Sequence, residues 1–477
     1  MNKPGNSPYT TSIHILDDDS LLNIFYLYRR FPLSEDQDLN IRLKGGVGWV
    51  GERWWYRLAH VCQRWRNLIL GSSSSLGLCL VCTHGTPVAD MLAHSPPLPL
   101  AIDYYSNDIT AEDEESIMLA LEQRDRVRRI RFDMSDLKPQ KLNMTMDGEY
   151  PILEYLILAS LPEEKSTVLT LPETLQTPHL RHLTINGSIP IRLQSLTAAV
   201  GLVTLYLRLF DLPTYIQPNV LLQSLSSMPQ LETFVVEFHF AVPNRDVERQ
   251  LMRTPIMTHV TLPSLRFFAF QAVSAYSEAV LSRITASRLE SFHIAYPKQL
   301  TFSVPQLAQF IGRTENLRFD QVRFDFGSRQ IFVEANPRES NLPLATISMV
   351  VNCSPFDWQV SSVAQISNVL SPIFSAVEHL IIKHFVHSRS SEEHNEVDRA
   401  EWRKLLGSFS NVKTLRIHDG FFWDLSRCLR LDDEEHPLEL LPELQELTYS
   451  GSDNANAFTP FIDARQNAGR PVTLIKL

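Results

Sequence analysis

Two short motifs in this sequence combine residue types at spacings that could do chemistry. The run Gly46-Val-Gly48-Trp-Val-Gly51 matches the glycine fingerprint that lets a pyrophosphate approach the start of a helix. Cys79 and Cys82, with His84 beyond them, are close enough in sequence to ligate one metal ion. A dinucleotide site also needs a buried strand before the glycines, where this chain has the charged segment 42–44. A metal site needs further ligands, and no second cysteine pair lies nearby. We therefore expect neither a cofactor nor a metal.

The remaining candidates for catalysis do not form a set. Fifteen histidines are spread through the chain without ligand spacing. His182, His293 and His418 fall where an exposed polar strand residue needs no catalytic explanation. No zinc-protease helix, phosphate-binding loop or nucleophile elbow occurs. The sequence therefore predicts a protein that binds other proteins and is not an enzyme.

The composition narrows the class of partner and the compartment. The formal net charge is −10, so binding to nucleic acid would gain no counterion-release energy without a concentrated basic patch. The densest basic run, 124–131, follows the acidic run 112–115 and is typical of neighbouring solvated faces. No apolar stretch approaches the roughly 20 residues that cross a bilayer, and five cysteines in 477 residues do not make a disulfide framework. We expect a cytoplasmic or nuclear protein that binds neither nucleic acid nor membrane.

One repeated pattern supplies the elements that would position a site. From about residue 126 the chain repeats an apolar residue, two variable residues, an apolar residue, one variable residue and a third apolar residue. Alternation at the last two apolar positions is typical of a strand with one buried face. Proline often stands two residues ahead, as in Pro178-His-Leu180. The thirteen matches begin at Val127, Leu153, Leu180, Leu202, Leu231, Leu265, Leu289, Phe319, Leu344, Val377, Val412, Leu444 and Val472.

Helical spacing fills several of the intervals between these strands. Apolar helix faces are predicted at 221–228, 307–311, 363–370 and 402–409, the second of them behind a capping box of Ser303 and Gln306. Strand, turn and helix recurring at this period are the plan of a leucine-rich repeat. We predict an α/β fold, a leucine-rich-repeat solenoid with a parallel sheet on the concave face and helices on the convex face. The alternative is a closed α/β domain of unrelated strand–helix units.

The first 72 residues have a different pattern, which predicts a small all-α module. Ile13–Phe25 has the spacing of an amphipathic helix that Asp18 or Asp19 can cap. Trp54–Ile69 has a second helical apolar face. The predicted domains are thus residues 1–72, a helical module, and residues 73–477, the repeats, in which Val386–Asp398 is an inserted surface loop rich in serine and acids.

The helical module resembles an F-box. Val61-Cys62-Gln63-Arg64-Trp65 matches the later signature of that motif, and Ile24-Phe25 matches the end of its opening helix. The chain is similar to F-box-like proteins with degenerate leucine-rich repeats, the fungal-type F-box family. It departs from the pattern in opening with Ile15-Leu16 where an F-box has leucine-proline, and in the longer connection Tyr26–Arg53.

The resemblance implies a substrate-recognition subunit of a Skp–cullin–RING ubiquitin ligase. The F-box-like module would dock a Skp-type adaptor, and through it a cullin–RING ligase, while the solenoid would bind a protein substrate. The alternative is a leucine-rich-repeat scaffold or regulatory protein without ubiquitin-ligase association. The predicted adaptor-binding residues are Leu16, Leu21, Leu22, Ile24, Phe25, Leu58, Val61, Cys62 and Trp65.

Target binding is predicted on the variable residue between the last two apolar positions of each strand. That residue points away from the apolar core of the sheet and so faces the concave side. The predicted target-binding residues are Arg131, Ile157, Tyr206, Val235, His293, Arg323 and Arg416. Ile157, Tyr206 and Val235, if exposed, would form an apolar patch; the alternative is that edge packing or an inserted loop covers them. The basic residues would suit an acidic or phosphorylated segment.

Overall fold

Across its described residues the protein is a mixed α/β chain, with sixteen strands in mostly parallel β-sheet and two further strands that pair only with each other. By internal contacts it divides into two compact units, Met1–His182 and Leu183–Leu477. The predicted boundary after residue 72 stays a prediction. The computed structural model describes residues 15–30, 53–105, 109–133, 146–160, 175–189, 193, 199–210, 214–239, 256–297, 299, 301–338, 346–354, 356–384, 399–418, 421–430, 439–450 and 455–477.

The described part of the first unit begins with three helices and continues with strands that pair in parallel in chain order. The strand Leu100–Tyr104 was not predicted. Its apolar residues do not have the spacing of the repeated pattern. The elements are α1 (Asp18–Arg30), α2 (Trp54–Ala59), α3 (Gln63–Gly71), β1 (Leu80–Cys82), α4 (Val88–His94), β2 (Leu100–Tyr104), α5 (Ala111–Glu122), β3 (Val127–Asp133) and β4 (Tyr155–Ser160).

Side chains at the start of α2 cover the outer edge of β1. Because the Leu80 N–H donates toward β2, the carbonyls of Cys79 and Val81 point away from that partner. Trp55 Nε1 donates to the Cys79 carbonyl over 3.2 Å, and Arg53 donates to the Val81 carbonyl over 3.0 Å. An open strand edge offers backbone groups to other chains. The helical segment caps this one.

The second unit alternates strands and helices over most of its length. The division between the units falls inside the strand β5 (His182–Gly187), after its first residue. The strand is described here with the second unit. The elements are β5 (His182–Gly187), β6 (Thr204–Leu209), α6 (Pro218–Leu225), β7 (Thr233–Phe238), β8 (Val260–Thr261), β9 (Phe267–Gln271), α7 (Ser274–Leu281), β10 (Ile284–Thr285), β11 (Ser291–Pro297), α8 (Pro305–Arg313), β12 (Gln321–Phe326), β13 (Ile331–Asn336), β14 (Ile347–Asn352), α9 (Phe356–Phe374), β15 (His379–His384), α10 (Arg399–Gly407), β16 (Thr414–Ile417), α11 (Phe422–Leu429), β17 (Glu446–Tyr449), α12 (Thr459–Asn467) and β18 (Thr473–Lys476).

A three-strand meander interrupts the parallel order of the second unit. The strand order is β5-β6-β7-β9-β11-β14-β13-β12-β15-β16-β17-β18. β13 pairs antiparallel with both β12 and β14, while β12 pairs in parallel with β15 and β14 with β11. The prediction of a purely parallel sheet is wrong here, because β13 does not fit the repeated pattern. Its apolar residues alternate but lack the earlier apolar residue of the repeat.

The helices of the second unit that have aromatic contacts pack on one face of the sheet. Tyr276 of α7 contacts Phe270, Phe310 of α8 contacts Phe292, and Trp402 of α10 contacts Phe326. These strand residues occupy the last two apolar positions of the repeated pattern or continue that alternation. The predicted burial of Leu183, Leu205, Leu380 and Leu415 is confirmed, since each is at most 1% exposed. These helices therefore lie on one face of the sheet, whereas a doubly wound sheet would carry helices on both faces.

Three predicted details of the elements are wrong. Trp54–Ile69 forms two helices, not one, because the chain turns at 60–62 between α2 and α3. The Ser303 capping box is absent. Pro305 takes the first position of α8, where its lack of an N–H costs nothing, and Val304 becomes the N-cap. In β18 the register aligns Leu474 with Leu447, so the predicted inward pair, Ile475 and Leu477, points the other way.

Candidate interaction surfaces

Helix α1 starts at an aspartate cap and buries one edge against α3. Asp17 Oδ1 accepts a hydrogen bond from the Ser20 N–H over 2.7 Å, so the cap lies one residue before the predicted Asp18 or Asp19. That bond lowers the pKa of Asp17. Phe25 is buried, and its ring meets the Trp65 ring edge-on with centroids 5.0 Å apart.

The predicted adaptor-binding residues divide into a buried and an accessible group. Leu21 and Phe25 are buried, and their role within the described residues is packing between helices. Ile24 is 42% exposed and Val61 is 59% exposed. The others are half-buried, namely Leu16, Leu22, Leu58, Cys62 and Trp65. Leu21 and Phe25 are four residues apart and therefore lie on the same side of α1, the side that faces α3. This is why they are buried while Ile24 is not.

An exposed apolar stripe on α1 extends beyond the predicted adaptor-binding residues. Leu27 is 60% exposed and Tyr28 is also exposed. Together with Ile24 they lie at i, i+3 and i+4, which is one side of a helix. We call Ile24, Leu27 and Tyr28 the α1 stripe. Its helical spacing is visible in the sequence, but the match to the F-box ends at Phe25 and leaves Leu27 and Tyr28 outside it.

Arg64 of the F-box-like signature links α3 to the start of α1. Its Nη2 donates to Asp18 Oδ1 over 2.6 Å and to the Leu16 carbonyl over 2.7 Å. Its Nε donates to the same Asp18 oxygen over 3.0 Å. Both ends of this ion pair are exposed to solvent. The sequence marks Arg64 as part of the signature but indicates no partner for it.

The variable strand residues of the second unit form a row across the sheet, as predicted. Tyr206, Val235, Ala269 and His293 are successive register partners on β6, β7, β9 and β11. Of the two alternatives for Tyr206 and Val235, the covered one holds, since they are 6% and 1% exposed. Alternation fixes the face of a side chain, not its accessibility. Neighbouring strands lie about 4.8 Å apart, so Val235 stands directly beside the larger side chain of Tyr206, its register partner on β6.

Two predicted target residues of the first unit are also wholly or partly covered. Ile157 is half-buried. Arg131 is buried, lies 3.8 Å from Asp103, and stacks over the Tyr105 ring at 4.2 Å. Burial lowers the pKa of Arg131. Its charge is thus already engaged by an aspartate and an aromatic face.

The two basic residues near the end of the row differ in whether their charge is already paired with a carboxylate. Arg323 lies 2.7 Å from Asp325 and 2.9 Å from Glu334, so two carboxylates more than neutralise it. Arg416 is exposed and faces the same side, in register with Ile381. The expected basic site for an acidic or phosphorylated segment therefore loses Arg323 and keeps Arg416.

His293 is part of the packing of this face. Its Nε2 lies 2.9 Å from the Ser291 hydroxyl, and its ring is 5.0 Å from that of Phe267. Burial lowers the pKa of His293 to about 4. In the first unit, His182 stacks on Tyr155 with centroids 4.3 Å apart, and burial, with Arg181 and Arg129, lowers its pKa to about 4.

The motifs with metal or cofactor spacing do not assemble a site in the described residues. Cys79 and Cys82 are three residues apart on an extended segment, so they point to opposite faces. Cys79 packs with Val81 and Ala101, and burial raises the pKa of the Cys82 thiol to about 12. Within the described ranges, no three metal-ligating side chains come together. The glycine run 46–51 and the predicted loop Val386–Asp398 lie outside the described residues.

Neither the described helices nor the comparison with known proteins assigns this chain a function. Among the described helices, none has the length and apolar character needed to cross a bilayer. None of the protein-family models compared with the chain matches it, and no curated protein matches it either.

Proposed function

We propose that this chain is the substrate-recognition subunit of a Skp–cullin–RING ubiquitin ligase, with α1–α3 as its adaptor-binding part and the sheet as its target-binding part. The observation that carries the proposal is the α1 stripe. It leaves Ile24 and Leu27 exposed beside the Phe25–Trp65 contact. Clustered exposed apolar side chains on a soluble protein commonly mark a binding site.

The arrangement of the two parts supports a binding protein. The F-box-like residues Phe25 and Trp65 form an interhelical contact, and Arg64 adds a second one. In the second unit, helices cover one face of the sheet and variable residues occupy the other. Such a receptor would act by holding a target near the transferred ubiquitin, so that transfer becomes effectively intramolecular.

The adaptor half of the proposal is tested with point variants of the full chain. Ile24→Asp with Leu27→Asp should abolish co-purification with a Skp-type adaptor, since a desolvated charge in an apolar interface costs several kcal/mol. Val200→Asp, another exposed aliphatic position, is the matched control. Deleting residues 1–72 is a poorer test, because it also removes Arg53 and Trp55 from the β1 edge.

The result is read with circular dichroism of the same variants. Undiminished adaptor capture by a folded Ile24→Asp, Leu27→Asp variant would sink the assignment of the α1 stripe. Absence of adaptor from wild-type purifications would favour the second candidate, a leucine-rich-repeat scaffold without ligase association. One observation favours that candidate: α1 opens on the Asp17 cap and lacks the proline with which an F-box opens.

A further inference from the structure

We propose that Arg64 is a positioning residue for adaptor binding, an inference that rests on the proposed function. Its guanidinium makes three hydrogen bonds to the start of α1, two to Asp18 and one to the Leu16 carbonyl. The partners are 46 and 48 positions away in sequence. Arg64 therefore joins two segments that the chain itself does not hold together.

The neighbouring signature residue holds α1 at a second point. Trp65 meets Phe25, seven residues after Asp18 and about 10 Å along the helix at 1.5 Å per residue. Two consecutive residues of α3 thus fix α1 at its first turn and again near its middle. Tyr28 adds a ring contact to Trp54 of α2, with centroids 6.3 Å apart. Both ring contacts lie at or beyond the middle of α1, so among these contacts Arg64 is the one that holds its first turn.

The direction of α1 decides where the stripe lies. Ile24 and Leu27 lie on the same helix as Phe25, so a displacement of the first turn about the two ring contacts tilts both. An exposed ion pair contributes little to the free energy of unfolding. The contacts of Arg64 are therefore expected to matter for presenting the stripe and not for folding. This separates a positioning role from a merely structural one.

The test measures the affinity of the full chain for a purified Skp-type adaptor by titration calorimetry. Arg64→Ala and Asp18→Ala should each weaken binding about three- to ten-fold, as expected for loss of a charge-assisted hydrogen bond. The two together should weaken it no more than either alone, and the exchange Arg64→Asp with Asp18→Arg should recover part of the loss. Arg57→Ala, which removes an exposed arginine of α2, should bind like wild type.

The outcomes separate this inference from the proposed function. Wild-type affinity in a folded Arg64→Ala variant, or additive losses in the double variant, overturns the positioning role alone. A wild-type chain that does not bind the adaptor overturns the proposed function. In that case hydrogen exchange at the Leu21 amide in the first turn of α1 still decides whether Arg64 holds the helix. Exchange should be faster in Arg64→Ala than in wild type and Arg57→Ala, and equal rates refute the contact.

Discussion

At the scale of single residues, His293 shows how a polar side chain on the sheet makes folding depend on pH. Burial lowers its pKa from 6.5 to about 4. The unfolded chain therefore takes up a proton below about pH 6.5 that the folded chain does not accept until about pH 4. The stability associated with the neutral ring is present above pH 6.5 and is lost as the pH falls toward 4.

Replacing His293 by glutamine should flatten this dependence. We expect the melting temperature of His293→Gln to fall less than that of wild type between about pH 7 and about pH 4.5, because one proton-linked penalty of folding is removed. Thermal unfolding followed by circular dichroism at several pH values measures the slope. His259→Gln, at an exposed histidine, is the control. Parallel slopes for all three proteins would show that His293 is not the group responsible.

Residue-level prediction succeeded for the apolar positions and failed for accessibility. Leu183 and Leu415 are buried as expected because a strand has only two faces and a run of leucines at one spacing marks the inner one. Exposure depends on the side chains of adjacent strands, which the local sequence does not contain. This is why Val235 and Arg131 are buried, and why the carboxylates around Arg323 were not foreseen.

At the scale of elements, helix α8 is capped from outside its own sequence. The Glu278 carboxylate of α7 accepts hydrogen bonds from the Gln306 and Leu307 N–H groups over 2.7 and 2.9 Å. These amides belong to the first turn of α8 and have no partner within the helix. The capping box predicted from Ser303 is thus replaced by a side chain 28 residues from Gln306.

Removing this carboxylate should destabilise the second unit. We expect Glu278→Ala to cost about 0.5–2 kcal/mol of unfolding free energy, the range found for loss of a helix cap. Urea unfolding measures the change, and Glu315→Ala, at an exposed glutamate, is the matched control. If the two variants lose equal stability, the hydrogen bonds of Glu278 do not support α8. The capping-box pattern compares residues three positions apart, so it cannot predict a cap that comes from another helix.

At the scale of the whole molecule, the predicted basic residues of the proposed target-binding face differ in how accessible their charges are to a partner. Arg416 is exposed there, whereas Arg323 is held by two acids. We expect Arg416→Glu in the full chain to remove proteins that co-purify with wild type while leaving adaptor binding unchanged, since it reverses an available charge. Quantitative mass spectrometry of purified complexes measures the difference.

A control at an exposed arginine before β11, Arg288→Glu, checks that charge reversal alone is not responsible. An unchanged set of proteins with Arg416→Glu would place recognition away from this part of the face. The alternation of strands and helices behind this test was predictable, because the same apolar pattern recurs along the chain. The order of the strands in the sheet could not be predicted, because register partners such as Phe292 and Ile347 are far apart in the chain.

The β12–β14 meander has a consequence for how this chain can gain or lose length. In a simple repeat array, each strand pairs with the next, so one strand–helix step can be duplicated or excised without disturbing the others. In this sheet β11 is paired with β14 and β12 with β15. Excising β12 or β14 alone would set β13, which runs in the opposite direction, beside a strand that otherwise pairs in parallel. The outer strands β12 and β14 are thus tied to β13, and neither can be duplicated or excised alone in the way that one step of a simple repeat array can.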